Sequence, residues 1–205
     1  MKIEFTKKIS EIDKNLIKNI VNTSCSIVQN FFDINSIRIN VDIDEPQTIP
    51  EWGVGGIGDH SSIDIFLEEN RQSDWEKHLP RTIFHECHHF IRGNQTDLDK
   101  TLVDLVFSEG LALHFEVEAD GAPPSFFSKI LTESQRDKMY HTFKVEYKDS
   151  SYDHARWFFG NGEFSFQAGY DLSYFLVGKF LKDRKTTASK SIGINSDEFV
   201  RYLNL

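Results

Sequence analysis

Apolar and polar residues follow two distinct rhythms along this chain. From Ser10 to Phe31, the residues Ile12, Leu16, Ile20, Val21 and Val28 recur at helical spacing behind a serine able to cap the first turn, which predicts an amphipathic helix. The rhythm then shortens to two. In SIRINVDID, Ile37, Ile39, Val41 and Ile43 alternate with Arg38, Asn40, Asp42 and Asp44, the signature of a half-buried strand. Pro46, Pro50 and the glycines of WGVGGIGDH (Gly53, Gly55, Gly56, Gly58) read as a loop. SSIDIFL, alternating Ile63, Ile65 and Leu67, reads as a second strand.

Beyond it the pattern is mostly helical. Pro80 suits a first helical turn and Gly93 a helix end, so the pair brackets one helix. A second is expected from Asp97 to Glu118, with Leu98, Leu102, Leu105, Val106 and Leu113 on one side and GAPPS as its stop. Thr132 to Tyr147 reads as a helix behind a Thr132/Gln135 capping box; Gly160 to Gly162 break the chain; Ala168 to Lys182 forms another helix, and a short one starts at Ser196. A helix and two alternating strands, followed by a mostly helical remainder, predict an α+β fold. With no repeat or long linker, residues 1–205 read as one domain, with a helix-and-sheet part over 1–70 and a mainly helical part over 71–205.

Composition narrows what such a domain does. The net charge is −9, with no dense Lys/Arg stripe to reverse it locally, which argues against a nucleic-acid partner. No apolar run is long enough to span a bilayer, and the N-terminus lacks the apolar stretch of a secretory signal, so a cytoplasmic protein without membrane partners is expected. Two cysteines, Cys25 and Cys87, do not make a disulfide framework in 205 residues.

Against that background TIFHECHHFIRG, Thr82 to Gly93, stands out. On a helix His85 and His89 lie about 40° apart around the axis and one turn apart along it, so both imidazoles can meet one ion. Glu86 flanks that face. Cys87 points away, as a packing residue, and His88 stands behind the ligands or serves as packing. With 8 His and 15 Glu in 205 residues, chance supplies about 0.02 His-Glu-x-x-His matches, so the motif is informative. Catalytic zinc takes three protein ligands and leaves a position for water. A histidine six residues after His89 would give the metzincin pattern, but Gln95 and Arg92 occupy the required positions. The stronger candidate is Glu109 in VFSEGLALHF, mid-helix among Val106, Phe107, Leu111 and Leu113. It is followed by Gly110, whose cost inside a helix, about 1 kcal/mol relative to alanine, suggests a close approach by another helix or a metal.

HECHH followed by SEGLALHF resembles the gluzincin class of zinc peptidases. In detail it is similar to a bacterial family of predicted zinc-dependent proteases in which an HExxH helix, an EGLA helix and a later GY helix recur. The similarity runs from about Gly53 to the C-terminus and includes FQAGYDLSYFLVGKFL. The resemblance implies a zincin-like fold, one Zn2+ per chain held by His85, His89 and Glu109, Glu86 as general base, and a peptide or protein substrate. One departure matters: where thermolysin-like gluzincins carry an aspartate four residues after the ligand glutamate, this chain has Leu113.

Gluzincins also add a donor to the oxyanion. Tyr170, Tyr174, His154 and Arg156 are the candidates, and Tyr170 is favoured because Ala168 and Gly169 let its helix start come close to the cleft. An extended substrate needs an edge strand, for which SSIDIFL is the candidate, an interior strand being the competing reading. Two other readings remain. One is a non-catalytic zinc-binding or regulatory module, against which an intact Glu86 argues. The other is a di-iron carboxylate protein, which needs a second Glu-x-x-His pair that none of the 15 glutamates provides.

Overall fold

The computed structural model describes residues 1–6, 9–96 and 100–205. They fall into two compact units, Met1–Asn94 and Gln95–Leu205, and the whole is α+β, with one four-stranded sheet and a mostly helical second half. Among the described residues no helix is long and apolar enough to cross a membrane.

The first unit runs β1 (Lys2–Phe5), α1 (Glu11–Val28), β2 (Arg38–Ile43), β3 (Val54–Gly58), β4 (Ile63–Leu67) and α2 (Gln72–Gly93). Ser10 caps α1 as anticipated, its side chain accepting from the Asp13 backbone N–H. The buried stripe differs from the expected one. Ile17, Val21, Ser24, Cys25 and Val28 face inward, while Ile12 is 82% exposed. The strand order is β1-β2-β4-β3, with β1, β2 and β4 parallel and β3 antiparallel to β4. Ile39, Val41, Ile63, Ile65 and Leu67 are fully buried, each contributing about 1.5–3 kcal/mol relative to exposure.

Two expectations fail here. The glycine-rich segment expected as a loop contains the strand β3, which forms the edge; of the two readings of SSIDIFL (β4), the interior strand is the one found. The helix bracketed by Pro80 and Gly93 instead begins at Gln72, with Pro80 inside it. Trp75 and Leu79 explain the longer start: both are buried, and the Trp75 indole N–H donates to the Glu68 carbonyl at 3.1 Å. From Thr82 onward α2 is buried on nearly every side and packs on α1 and β3.

The second unit runs α3 (Leu102–Asp120), α4 (Glu133–Glu146), α5 (His154–Phe158), α6 (Ala168–Arg184) and α7 (Ser196–Leu203). Of the helix expected from Asp97, Asp97 and Leu98 lie outside the described residues. The helix itself starts behind a Thr101/Asp104 capping box and ends at Gly121, whose φ is +68°. The Thr132/Gln135 capping box forms as anticipated at α4. α3 is the central helix, apolar all round, and α6 packs along it. That approach is close enough that a Cβ on Gly110 would lie 2.4 Å from Val177 Cγ2 and 2.5 Å from the Ser173 carbonyl oxygen. Phe107 of α3 stacks on Phe199 of α7 with ring centroids 4.6 Å apart. Asp171, fully buried on α6, accepts from Arg136 Nε of α4 at 2.7 Å and from the Leu131 backbone N–H at 2.8 Å.

Candidate metal centre

α2 carries its histidines at i and i+4, and the geometry follows from the helical repeat. His85 Nε2 and His89 Nε2 lie 3.0 Å apart, both aimed at one point. One ligand atom from each of His85, His89 and Glu109 lies within 4.8 Å of the other two. His85 and Glu109 are half-buried and His89 buried. Two imidazole nitrogens and a carboxylate oxygen are a donor set suited to zinc. The residues fit the ion: a single cation takes up both imidazole lone pairs, whereas without one the two nitrogens must share a proton between them.

The neighbours of the pair separate by function. Cys87 turns toward Cys25 of α1; contact with that thiol, and then burial, push the Cys87 thiol well above its ordinary value. It stays protonated and serves as packing. His88 is fully buried and meets Phe32 edge-on, with ring centroids 6.5 Å apart.

Glu86 is buried and sits against β3. A Cβ built on Gly56 would lie 2.7 Å from Glu86 Cγ, 2.8 Å from Thr82 Cγ2 and 3.0 Å from Glu86 Oε1. One on Gly58 would lie 2.6 Å from the Glu86 backbone oxygen and 3.1 Å from Oε2. The edge strand is therefore glycine where the glutamate side chain runs along it. Sequence reading missed this contact; the signal available was the two-residue spacing of Gly56 and Gly58. The backbone adds a second feature. Glu68 N–H donates to the Gly53 carbonyl and Asp59 N–H to that of Ser62, so Gly53, Gly55, Ile57 and Asp59 turn their polar groups toward β4. By alternation the N–H and C=O of Gly56 and Gly58 point to the outer edge of the sheet.

The oxyanion-donor candidates occupy different settings in the second unit. Tyr170, on the first turn of α6, packs edge-on against Phe158 at 5.0 Å. The glycine before it has a local reason: a Cβ on Gly169 would lie 2.6 Å from the Phe158 ring, so that glycine makes room for α5. Tyr174 stacks on His114 with centroids 4.0 Å apart, and His114 Nε2 lies 2.9 Å from the Tyr174 carbonyl. Burial holds the His114 imidazole below its ordinary 6.5, and the hydrogen bond to that carbonyl opposes the shift. His154 stacks on Phe158. The Arg156 guanidinium is engaged by two carboxylates, Glu163 at 2.6 Å and Glu146 at 2.6 Å, which raise its pKa, while its own hydrogen bond to Glu163 pulls that carboxyl down to about 2. Leu113, where an aspartate would orient a histidine in the thermolysin pattern, is buried.

A model of the family described as "Predicted Zn-dependent protease (DUF2268)" matches residues 14–201, beginning well before the Gly53 at which similarity was expected to start. No curated protein and no solved structure matches the chain.

Proposed function

The chain belongs to the family of predicted Zn-dependent proteases, and on that premise we propose that it is a zinc peptidase of the gluzincin type, with a zincin-like fold. His85, His89 and Glu109 hold one zinc, and Glu86 is the general base. The observation that carries the reading is the convergence of two imidazoles and a carboxylate within 4.8 Å, with Glu86 in the same helical turn as the first imidazole.

Bound zinc supplies Lewis acidity and lowers the pKa of a coordinated water toward neutrality. The remaining work falls to the chain. Glu86 receives a proton from the attacking water and returns it to the leaving amine, so one carboxylate acts first as base and then as acid. Its burial keeps bulk water from competing for that proton. The outward-facing N–H and C=O groups of Gly56 and Gly58 offer an extended peptide the hydrogen bonds of one more strand. Tyr170 is the proposed donor to the oxyanion. The substrate is a peptide or unfolded protein, and the setting cytoplasmic.

A metal assay and one conservative substitution test this. Purified protein is expected to hold about one zinc per chain and to hydrolyse an unstructured protein substrate. Glu86→Gln keeps size and polarity, and should retain zinc while losing at least about 10²-fold in activity. Loss of zinc together with activity would make Glu86 a ligand and end this reading. Full zinc occupancy in Glu109→Ala would end it equally.

A further inference from the structure

We propose that Gly56 and Gly58 are positioning residues for Glu86, and that these two residues set the general base and the incoming peptide against a common reference. The inference rests on the peptidase reading above and adds to it the device that places the base.

Glycine weakens a strand by about 0.5–1 kcal/mol relative to alanine, yet three of the five residues of β3 are glycine. At two of them the reason is Glu86. Gly56 receives the side-chain stem, with Cγ 2.7 Å and Oε1 3.0 Å from where a Cβ would stand. Gly58 receives the carboxylate end, Oε2 at 3.1 Å, and lets the strand close onto the α2 backbone, whose Glu86 carbonyl oxygen would lie 2.6 Å from a Cβ. Real Cβ atoms do not approach so closely, so a methyl at either position must swing the carboxylate aside or push the strand off the helix.

The wall also faces outward. Gly56 and Gly58 pair across from Ile65 and Ile63 of β4, and their own N–H and C=O groups point to the outer edge. A peptide added there as a strand is registered on the same two residues that fix the carboxylate beside it. The distance between scissile carbonyl and base is then set by one short stretch of backbone. Misplacement of a catalytic group by about 1 Å can cost about 10²-fold in rate, so such a shared reference matters.

The test uses Gly56→Ala in a Thr82→Ala background, which removes the Thr82 methyl contact and leaves the Glu86 contact alone. Zinc content is expected to stay at that of the parent and KM within about threefold, while kcat falls by about 10²-fold. A second, activity-independent readout is a melting-temperature cycle. Gly56→Ala should lower Tm by about 3 °C or more when Glu86 is present, and by less than about 1 °C beside Glu86→Ala, where Cγ and Oε1 are gone. Unchanged kcat in an active parent, a loss confined to KM, or equal Tm changes in the two backgrounds would each overturn the inference. An inactive parent that also lacks zinc would instead overturn the peptidase reading, so the two failures are distinguishable.

Discussion

Gly110→Ala pits helix propensity against packing, and the structure decides which wins. In the interior of α3 the substitution gains about 1 kcal/mol from propensity alone. Against it, the new methyl would stand 2.4 Å from Val177 Cγ2 and 2.5 Å from the Ser173 carbonyl oxygen. Carbon atoms settle at about 3.5 Å or more, so the contact is about 1 Å too short. Val177 can rotate, but Ser173 O is α6 backbone and moves only with the helix. Parting two packed helices in a close-packed core costs about 3 kcal/mol, the upper end for overpacking. The net expectation is a loss of about 2 kcal/mol, or a Tm lower by about 4–8 °C for a chain of this size. Urea unfolding followed by far-ultraviolet circular dichroism gives the free energy directly, and an unchanged m-value would show that the loss belongs to the native state. Adding Val177→Ala should recover part of the loss, because it clears the methyl clash and leaves the carbonyl one. A Gly110→Ala protein as stable as the parent, or more so, would refute the argument: propensity would have prevailed and the α3–α6 spacing would not be limiting.

Other perturbations probe different parts of the molecule. Tyr170→Phe keeps the edge-on contact with Phe158 and removes only the hydroxyl; zinc and folding should hold while kcat drops about 10 to 10³-fold, and an unchanged kcat would reject Tyr170 as donor. Arg136→Ala leaves Asp171 buried without its cation and should destabilise by about 3 kcal/mol in chemical denaturation, whereas the double change with Asp171→Leu should restore much of it. If single and double variants were equally unstable, the ion pair would not be the cause. For His114 the folded-state pKa is depressed, so the stability that depends on its neutral form is present above about pH 6.5 and is lost as pH falls through the lowered folded value. His114→Gln should flatten the stability profile between about pH 7 and 5; a parallel profile would assign that slope to other groups.

How far the chain could be read in advance depends on where each signal resides. The Thr132/Gln135 capping box and the His85/Glu86/His89 spacing lie within a few neighbouring residues, so they were legible. β3 was not, because period-two alternation needs side chains and this strand has glycine at three of five positions. Pro80 misled for a related reason. Proline favours first turns, but Trp75 and Leu79 bury enough apolar surface upstream to extend α2 across it. In α1 the periodic residues were real but the inward direction was not readable, since the rotation that buries Ile17 and exposes Ile12 is set by α2. β1 and α5 were missed because four and five residues carry too little periodicity. The contact of Glu86 with Gly56 and Gly58 spans about thirty residues and required the folded chain.

Pro80 also has a kinetic meaning. Lacking an N–H, it leaves the Glu76 carbonyl without a bond from the next turn, so the ladder of α2 is interrupted between its first turns and the stretch from Thr82 to Arg92. Fraying that starts at Gln72 has no ladder bond to break at that gap, and burial arrests it beyond, where nearly every side chain from Thr82 to Arg92 is enclosed. Hydrogen exchange would register the interruption as a step in protection, with fast amides before Leu79 and slow ones from Ile83 onward. The proline thus marks a seam, with a helix end that opens easily on one side and the enclosed stretch that carries the histidines on the other.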